Sequence, residues 1–549
     1  MRDKVIKWRW RVLLIAGFMA ALTLATAAHP VRTNEDVIRI KNGEMTLDPT
    51  WESRDDVQQL IRLGDGWSVF QNRSRGYQFE VPSSMQPDMT LSEVVAVLED
   101  ETLRLEVYVD DFRGTVHSAD AYIYYSQGFL RNQEDHQELN RETFTVDGLR
   151  VELLEWQRTP LEAIDKDRPY YAKAVLVKDS HRVVTLLFKA EKPLTEEYRR
   201  IIESVQMTER TTTPGFHVNS QVVEQTWNEV TERFYQHYFV DNQQLIWGIF
   251  QPTAPKTMTD LHQLEDRLDY QFRFLLLYKN LERGFPHEEM ENARENDRHV
   301  VLTLQTKHRD DQLNKRSLYP LLEGEYDAHL QEYADALKAY GDPVLFRLNN
   351  EMNGDWCTYS AYYTAMDTEI FRESWRYVHR FFQEADVDNV IWVWNPHDLS
   401  FPGFAWNHTI MYYPGDAYVD IIGLTGYNPG TWFPGEHWRY FLEIYPSLYR
   451  EYANLFAQPF MIPEFGSSSF GGDKVAWIED MFRYMPGYDR IQVAIWWNGI
   501  DWDDEGNPGR IYRLDETPET LDAFRRGLIP FETPSLPPEE QEYIAETEE

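Results

Sequence analysis

"VLFRLNNEMNGDW", residues 344–356, opens as a strand-length run, Val344 to Leu348, and ends in a polar turn. In that turn a single carboxylate, Glu351, stands among asparagines, a glycine and a tryptophan. A mostly apolar run without period-two alternation is the pattern of a strand buried on both faces, as in parallel sheets. Seven more runs of this kind surround it: "LIWGIF" (245), "FRFLLLY" (272), "VVLTLQT" (300), "VIWVWN" (390), "VDIIGL" (419), "FMIPE" (460) and "IQVAIWW" (491). Between them lie helical stripes such as Val223/Trp227/Val230/Phe234, Leu330/Tyr333/Leu337 and Trp438/Phe441/Tyr445/Leu448/Tyr452. Eight such strands within residues 215–530 predict an α/β fold, a (β/α)8 TIM barrel. A doubly wound open sheet would also alternate in this way. It would bring a glycine-rich phosphate loop after its first strand, and none follows "LIWGIFQP".

Upstream the period changes. "YQFEVP", "LRLEVYV", "FTVDGLRVELLEW" with its Asp147-Gly148 turn, and "YYAKAVLVKDSHRVVTLLFKA" turning at Lys178 to His181, predict short antiparallel strands, closed by a helix in "TEEYRRIIESV". Residues 55–210 are therefore expected to form a smaller α+β antiparallel-sheet domain preceding the barrel. In outline it resembles the PsbP-like and Mog1-like sandwich folds, and scaffolding is its default role. "TTTPG" at 211–215 marks the boundary, 29–54 is read as a linker, and the proline-led acidic tail 531–549 as unstructured. At the amino terminus a basic segment, "MRDKVIKWRWR", precedes the apolar "VLLIAGFMAALTLA" and the small residues Ala25 to Ala27. This is the pattern of an export signal spanning residues 1–28, with an uncleaved anchor as the alternative.

The 549 residues carry 91 acidic and 54 basic side chains, a formal net charge of −37. Such a surface repels nucleic-acid phosphates and anionic lipid headgroups, so no nucleic acid and, once the signal is removed, no membrane is expected as partner. The one cysteine, Cys357, cannot form an intramolecular disulfide and is read as a packing residue. No histidine or cysteine cluster has metal-ligand spacing, so neither metal nor cofactor is expected. "KHRDD" (307–311) has the letters of a kinase catalytic loop without the other kinase segments, and "DWDDEGNPG" (501–509) lacks calcium-loop spacing; an acidic rim at the barrel mouth is the reading for the latter. The 18 tryptophans and 32 tyrosines exceed what packing needs, and flat amphipathic rings suit sugar faces.

In such barrels the working groups stand at the carboxy-terminal strand ends. Here those ends hold Asn350-Glu351, Asn395, Tyr427, Glu464 and Trp496-Trp497. Two glutamates on the fourth and seventh strands lie across one mouth. Retaining cleavage of a glycosidic bond needs such a pair, one carboxylic acid to protonate the leaving oxygen and one carboxylate to attack the anomeric carbon. "RLNNEMNGDW", "VIWVWNP", "YYPGDAYVDIIGLTGYN" and "IPEFG" together resemble the signature segments of glycoside hydrolase family 26, the β-mannanase family, over about residues 240–510. The resemblance implies Glu351 as acid/base and Glu464 as nucleophile. It implies Tyr427 as the tyrosine bonded to the nucleophile, and Arg347, Asn350, Trp356, Trp394, Asn395 and Trp496 as substrate-binding residues. Trp247, Trp392 and Trp497 are assigned to barrel core. Arg347 and the Tyr427 hydroxyl are expected to hold the Glu464 carboxyl ionised, and the Glu351 carboxyl is expected to be raised by its charged neighbour.

One position departs from the family: Asn350 stands where histidine is typical. Mannose differs from glucose and xylose at the 2-hydroxyl, which that position faces, so the sugar stays open. The expected function is that of a secreted, retaining endo-β-glycanase acting as a monomer on a polysaccharide, β-mannan by family default and β-glucan or xylan as alternatives. A non-catalytic carbohydrate-binding barrel, or an enzyme remodelling a bacterial surface polymer, are the other readings.

Overall fold

The computed structural model describes residues 37–41, 44–47, 58–88, 94–210, 220–308 and 316–531. The expected signal, the "TTTPG" boundary, the "RDD" of "KHRDD" and residues 532–549 of the acidic tail lie outside the described residues. The chain divides into two compact units, Met1–Met89 with Arg199–Pro214, and Thr90–Tyr198 with Gly215–Glu549. The expected 55–210 segment is thus shared between them.

The first unit holds a six-stranded antiparallel sheet in the order 206–207, 77–82, 67–72, 58–64, 37–41, 44–47. Two of these strands, "VIRIK" and "EMTL", come from the segment read as a linker. They pair Ile38 with Leu47, and Ile38 also meets Leu60 on the next strand.

In the second unit six antiparallel strands run in the order 96–99, 103–111, 182–190, 170–179, 149–158, 136–146. The 136–146/149–158 hairpin turns at Asp147-Gly148 and the 170–179/182–190 hairpin at Ser180-His181, as the alternation predicts.

The rest of this unit is a closed parallel barrel. Its strands are β1 (Ile246–Phe250), β2 (Phe274–Asn280), β3 (His299–Gln305), β4 (Val344–Leu348), β5 (Val390–Trp394), β6 (Ile421–Gly423), β7 (Phe460–Ser467) and β8 (Ile491–Trp497). The eight predicted runs form these eight strands. Pairing of Ile246 with Val493 and of Ile249 with Trp496 closes the ring. Helices α1 (Thr259–Leu268), α2 (His287–Glu295), α3 (Asp327–Tyr340), α4 (Thr368–Glu384), α5 (Phe441–Leu455), α6 (Lys474–Tyr484) and α7 (Pro518–Leu528) form the outer layer, and only short 3-10 turns join β5 to β6. Phe274, Leu276, Val301, Ile391, Val393 and Ile495 fill the barrel interior.

The stripe expected from Val223 to Phe234 is helical only over Glu229–Tyr235. Asn228 caps that helix by accepting from the Thr231 amide at 2.8 Å, while its own amide nitrogen donates to Asp388 O and the Trp227 indole donates to Val390 O. Those bonds tie the preceding residues to the chain entering β5 instead of to a helical turn. Trp438 likewise precedes α5.

The antiparallel sheet of this unit and the barrel share a buried ionic cluster. Lys189 is fully buried, and its Nζ lies 2.6 Å from Asp367 Oδ1 and 2.9 Å from Glu106 Oε1. Arg104 Nε donates to Glu106 at 2.9 Å, and the Tyr171 hydroxyl donates to Asp367 at 2.7 Å. Asp367 also caps α4 through the Glu369 amide. Burial alone would raise the Glu106 carboxyl, but Lys189 and Arg104 overcome it and hold the group well below its ordinary value.

Removing one member strands the others. Lys189→Met should cost about 3–5 kcal/mol, because two buried carboxylates lose their shared cation; urea unfolding of the full chain measures it. The Glu106 carboxyl is depressed in the folded state, so its contribution is present above the ordinary carboxylate value of 4.5 and is lost as pH falls below it. Wild-type stability should drop through that acid range and the variant's should drop less.

Candidate functional site

Strand parity decides which side chains reach the mouth. Leu345 of β4 points inward, so Arg347 does; Ile391 and Val393 of β5 put Asn395 inward; Phe274 and Leu276 of β2 put Tyr278 inward. These side chains meet. Arg347 has no exposure at all; its Nε donates to Thr303 Oγ1 at 2.8 Å and its Nη1 to Asn395 Oδ1 at 2.6 Å, and its guanidinium lies 5.3 Å over the Tyr278 ring. β7 breaks the alternation. Ile462 pairs with Ala494 and Phe465 with Trp496, so Pro463 and Glu464 together stand opposite Ile495. Proline has no N–H to lose from the ladder, and the extra residue turns Glu464 into the barrel.

Glu464 is 3% exposed. Its Oε1 lies 3.1 Å from Arg347 Nη1 and accepts from Asn350 Nδ2 at 2.9 Å, and its Oε2 accepts from the Tyr278 hydroxyl. The Asn350 carboxamide is aimed in turn by Gln305, whose Nε2 donates to Asn350 Oδ1 at 2.8 Å.

The neighbouring residues Asn349 and Glu351 both have left-handed backbones, with φ of 51° and 55°. The turn is pinned on both sides: the Asn349 amide donates to Leu304 O at 2.9 Å, and the Glu351 amide to Asn395 O at 2.7 Å. Asn350 is thereby directed at Glu464 while Glu351, half-buried, faces the same mouth. Its Oε2 accepts from the Trp356 indole at 3.2 Å. The indole reaches back because Gly354 is bare: a Cβ there would come within 2.5 Å of the Trp356 ring. Trp356 is 43% exposed and packs against Phe401 and His397.

Burial pushes the Glu464 carboxyl up, to about 8, and the negative charge of Asp501 pushes the same way. Three donors face it, Asn350, Tyr278 and the Arg347 guanidinium. Burial lowers that guanidinium to about 10, which leaves it charged at neutral pH. The expectation that Arg347 and the Tyr427 hydroxyl hold this carboxyl ionised is thus corrected, since desolvation dominates and raises it, and the tyrosine bonded to Glu464 is Tyr278. Tyr427 stands alongside, packed on Tyr512 at 5.0 Å and edge-on to Trp497 at 6.5 Å. Burial raises its hydroxyl, and the charge of Glu351 adds to that.

Trp394 and Trp496 do not join the group. Both are fully buried on the outward parity: the Trp394 indole donates to Tyr412 O and packs on Tyr413 and Phe456, and Trp496 packs on Phe465, Trp477 and Phe524. Trp497, assigned to core, is instead half-buried at the end of β8, stacked on Phe250 at 5.1 Å. Tyr278, Gln305, Trp497 and Asp501 are the residues that sequence reasoning missed. The first three follow from counting by twos along each strand from its inward apolar residues. Cys357 is buried, its thiol raised to about 11 by burial.

Residues 303–445, from β3 into α5, match the family model described as Glycosyl hydrolase family 26. The match lies within the barrel. Among curated proteins, Endoglucanase H of Acetivibrio thermocellus is 30% identical over 212 residues, 37% of this chain and 22% of that protein. Mannan endo-1,4-beta-mannosidase A and B of Caldalkalibacillus mannanilyticus is 36% identical over 100 residues, 17% of this chain and 18% of that protein. The chain thus spans less than a quarter of the length of either relative. Among solved structures, Bacillus subtilis mannanase BCman is 18% identical with a TM-score of 0.38, covering 56% of this chain and 93% of its own. A modular endo-beta-1,4-mannanase from Cellulomonas fimi is 16% identical with a TM-score of 0.44, covering 57% and 76%.

Asp501→Asn removes one of the two influences that raise Glu464. The Glu464 ionisation, followed by carbon NMR of the labelled carboxyl, should move down by roughly half a pH unit. No movement, or movement upward, would show that Asp501 does not act on it.

Proposed function

We propose that the barrel cleaves internal β-linkages of a neutral polysaccharide with retention. The observation that supports this is the joining of the β4 and β7 strand ends by the Asn350 and Arg347 contacts to Glu464, with Glu351 next to Asn350 in the chain. Glu464, in its ionised form beside Arg347, attacks the anomeric carbon while Glu351 gives its proton to the departing oxygen. A glycosyl ester on Glu464 results. Water then adds to the anomeric carbon, Glu351 takes its proton, and the ester bond breaks to restore the Glu464 carboxylate. Trp356, exposed beside Glu351, offers a flat face to the sugar on the leaving side. The amino-terminal sequence supports action outside the cell; among the described residues no helix is long and apolar enough to cross a membrane.

For the sugar, two readings have support. β-Mannan follows from the relatives named as mannan endo-1,4-beta-mannosidases. β-Glucan is favoured by Asn350 in the place of the family histidine, beside the attacking carboxylate, and by the match to Endoglucanase H. Initial rates and product analysis on β-mannan, β-1,3-1,4-glucan and xylan decide between them.

Glu464→Ala and Glu351→Gln, each checked for an unchanged melting temperature, should lose roughly a thousandfold or more in turnover on the polysaccharide that wild type cleaves. If wild type cleaves none while binding one, the barrel is a carbohydrate-binding module. If either variant keeps its turnover, the role given to that residue fails.

A further inference from the structure

The loop between β4 and α4 carries Glu351 and Trp356, and its outer side is covered by the antiparallel sheet of the same compact unit together with the helix Ala119–Tyr125 and the 3-10 turn Gly128–Arg131 that join two of its strands. The Tyr125 hydroxyl donates to the Asp355 carboxylate, and the Arg131 guanidinium donates to the Tyr362 hydroxyl. Backbone meets ring at Gly128, where a Cβ would come within 2.4 Å of Tyr362. The Asp355 carbonyl accepts from the Tyr363 hydroxyl at 2.7 Å, so this residue is held from the sheet and from its own loop. The residue after it is Trp356, whose indole donates to Glu351.

The aromatic neighbours of Trp356 are held by the same sheet. Phe401 packs on the Trp356 ring at 5.2 Å, and the residues just beyond it enter the sheet's aromatic cluster. Phe404 lies edge-on to Tyr122 at 4.8 Å and to Phe112 at 5.6 Å. The Ala405 amide donates to Asp110 Oδ1 at 2.7 Å, and the Trp406 indole to Ser126 Oγ at 3.1 Å. At the far end of the β4 loop, Asp367 is gripped by Lys189 and Tyr171.

We propose that the antiparallel sheet is part of the frame of the active site, and that Tyr125 is a positioning residue: through Asp355 it fixes Trp356, and through the Trp356 indole it fixes the Glu351 carboxyl. Loss of the Tyr125 hydroxyl releases Asp355, lets the Trp356 ring drift and leaves Glu351 off line with the departing oxygen. This rests on the acid/base role proposed above for Glu351.

The test uses the full chain and two kinds of substrate. A sugar leaving group needs a proton from Glu351, whereas 2,4-dinitrophenolate departs without one. kcat/KM reports only the first half-reaction, in which that difference appears. Tyr125→Phe is compared with wild type on the cleaved polysaccharide and on the 2,4-dinitrophenyl β-mannobioside and β-cellobioside. Expected is a loss of roughly tenfold in kcat/KM on the polysaccharide, an unchanged value on the accepted dinitrophenyl substrate, and an unmoved melting temperature. Asp355→Ala, which removes the acceptor from the barrel side, should give the same split. Equal losses on both substrates, or no loss on either, would overturn the proposal. If Glu351→Gln itself keeps polysaccharide turnover, the acid/base reading has failed instead, whatever Tyr125→Phe does.

Discussion

A carboxylate removed from water costs several kcal/mol unless charged or polar donors meet it. Glu464 is buried at the end of β7 and is met by donors from two other strands: Tyr278 from β2, and Arg347 and Asn350 from β4 and its end. Those donors are committed further, Arg347 to Thr303 of β3 and to Asn395 past β5, and Asn350 to Gln305 of β3. One buried charge thereby ties five of the eight strand ends into a single polar network. Each link uses a side chain that the inward parity of its strand delivers, except Glu464, which depends on the irregularity at Pro463, and Asn350, which the left-handed turn after β4 directs. A barrel closed in a different register would leave this charge without its partners.

The same network makes the site electrostatically lopsided. Glu464 is surrounded by donors and shut away from solvent, whereas Glu351 is half-buried and accepts only from the Trp356 indole among the bonds its carboxylate makes in the described structure. Two carboxyl groups in such different settings can take different roles, one enclosed by donors and the other open to the mouth. Asp501 belongs to this balance. It stands on the short 500–502/508–511 hairpin, partly neutralised by Arg510 at 2.8 Å, and its charge reaches Glu464 from the rim. The acidic segment 501–509 that looked like a defective calcium loop thus bears on the chemistry of the mouth through one residue.

The barrel was legible because both its periods are local. Apolar runs mark the strands, and the helical stripe of α3 is present as expected. The two glutamates were legible because strand ends in this architecture point to one mouth. The platform tryptophans were mistaken for a physical reason: residue type names a candidate, but parity decides which face it takes, and Trp394 and Trp496 fall on the outward positions. Trp227 and Val223 failed differently, since the Asn228 cap stops the helix that their spacing would continue. The bracing of the β4 loop by the antiparallel sheet left no mark in the sequence. It joins residues such as Tyr125 and Asp355, or Lys189 and Asp367, that lie far apart along the chain and belong to segments that each look self-sufficient.

That bracing answers a cost inside the loop. Between β4 and α4 four residues other than glycine, Asn349, Glu351, Ala365 and Met366, have left-handed backbones, each at a cost of order 1 kcal/mol or more. A loop holding that much strain would relax unless its ends and middle were fixed from outside. Its start is fixed by the β3 and β5 strand ends, through the Leu304 and Asn395 carbonyls, and its end by Lys189 and Tyr171 through Asp367. The middle is reached by Tyr125 and Arg131, from the helical connection between strands 103–111 and 136–146 of the sheet. The strain gives Asn350 and Glu351 opposite tasks in consecutive residues, one side chain turned to the buried carboxylate and the next to the open mouth. A barrel without the sheet would keep its strands and the start of this loop but lose what holds its middle and its end.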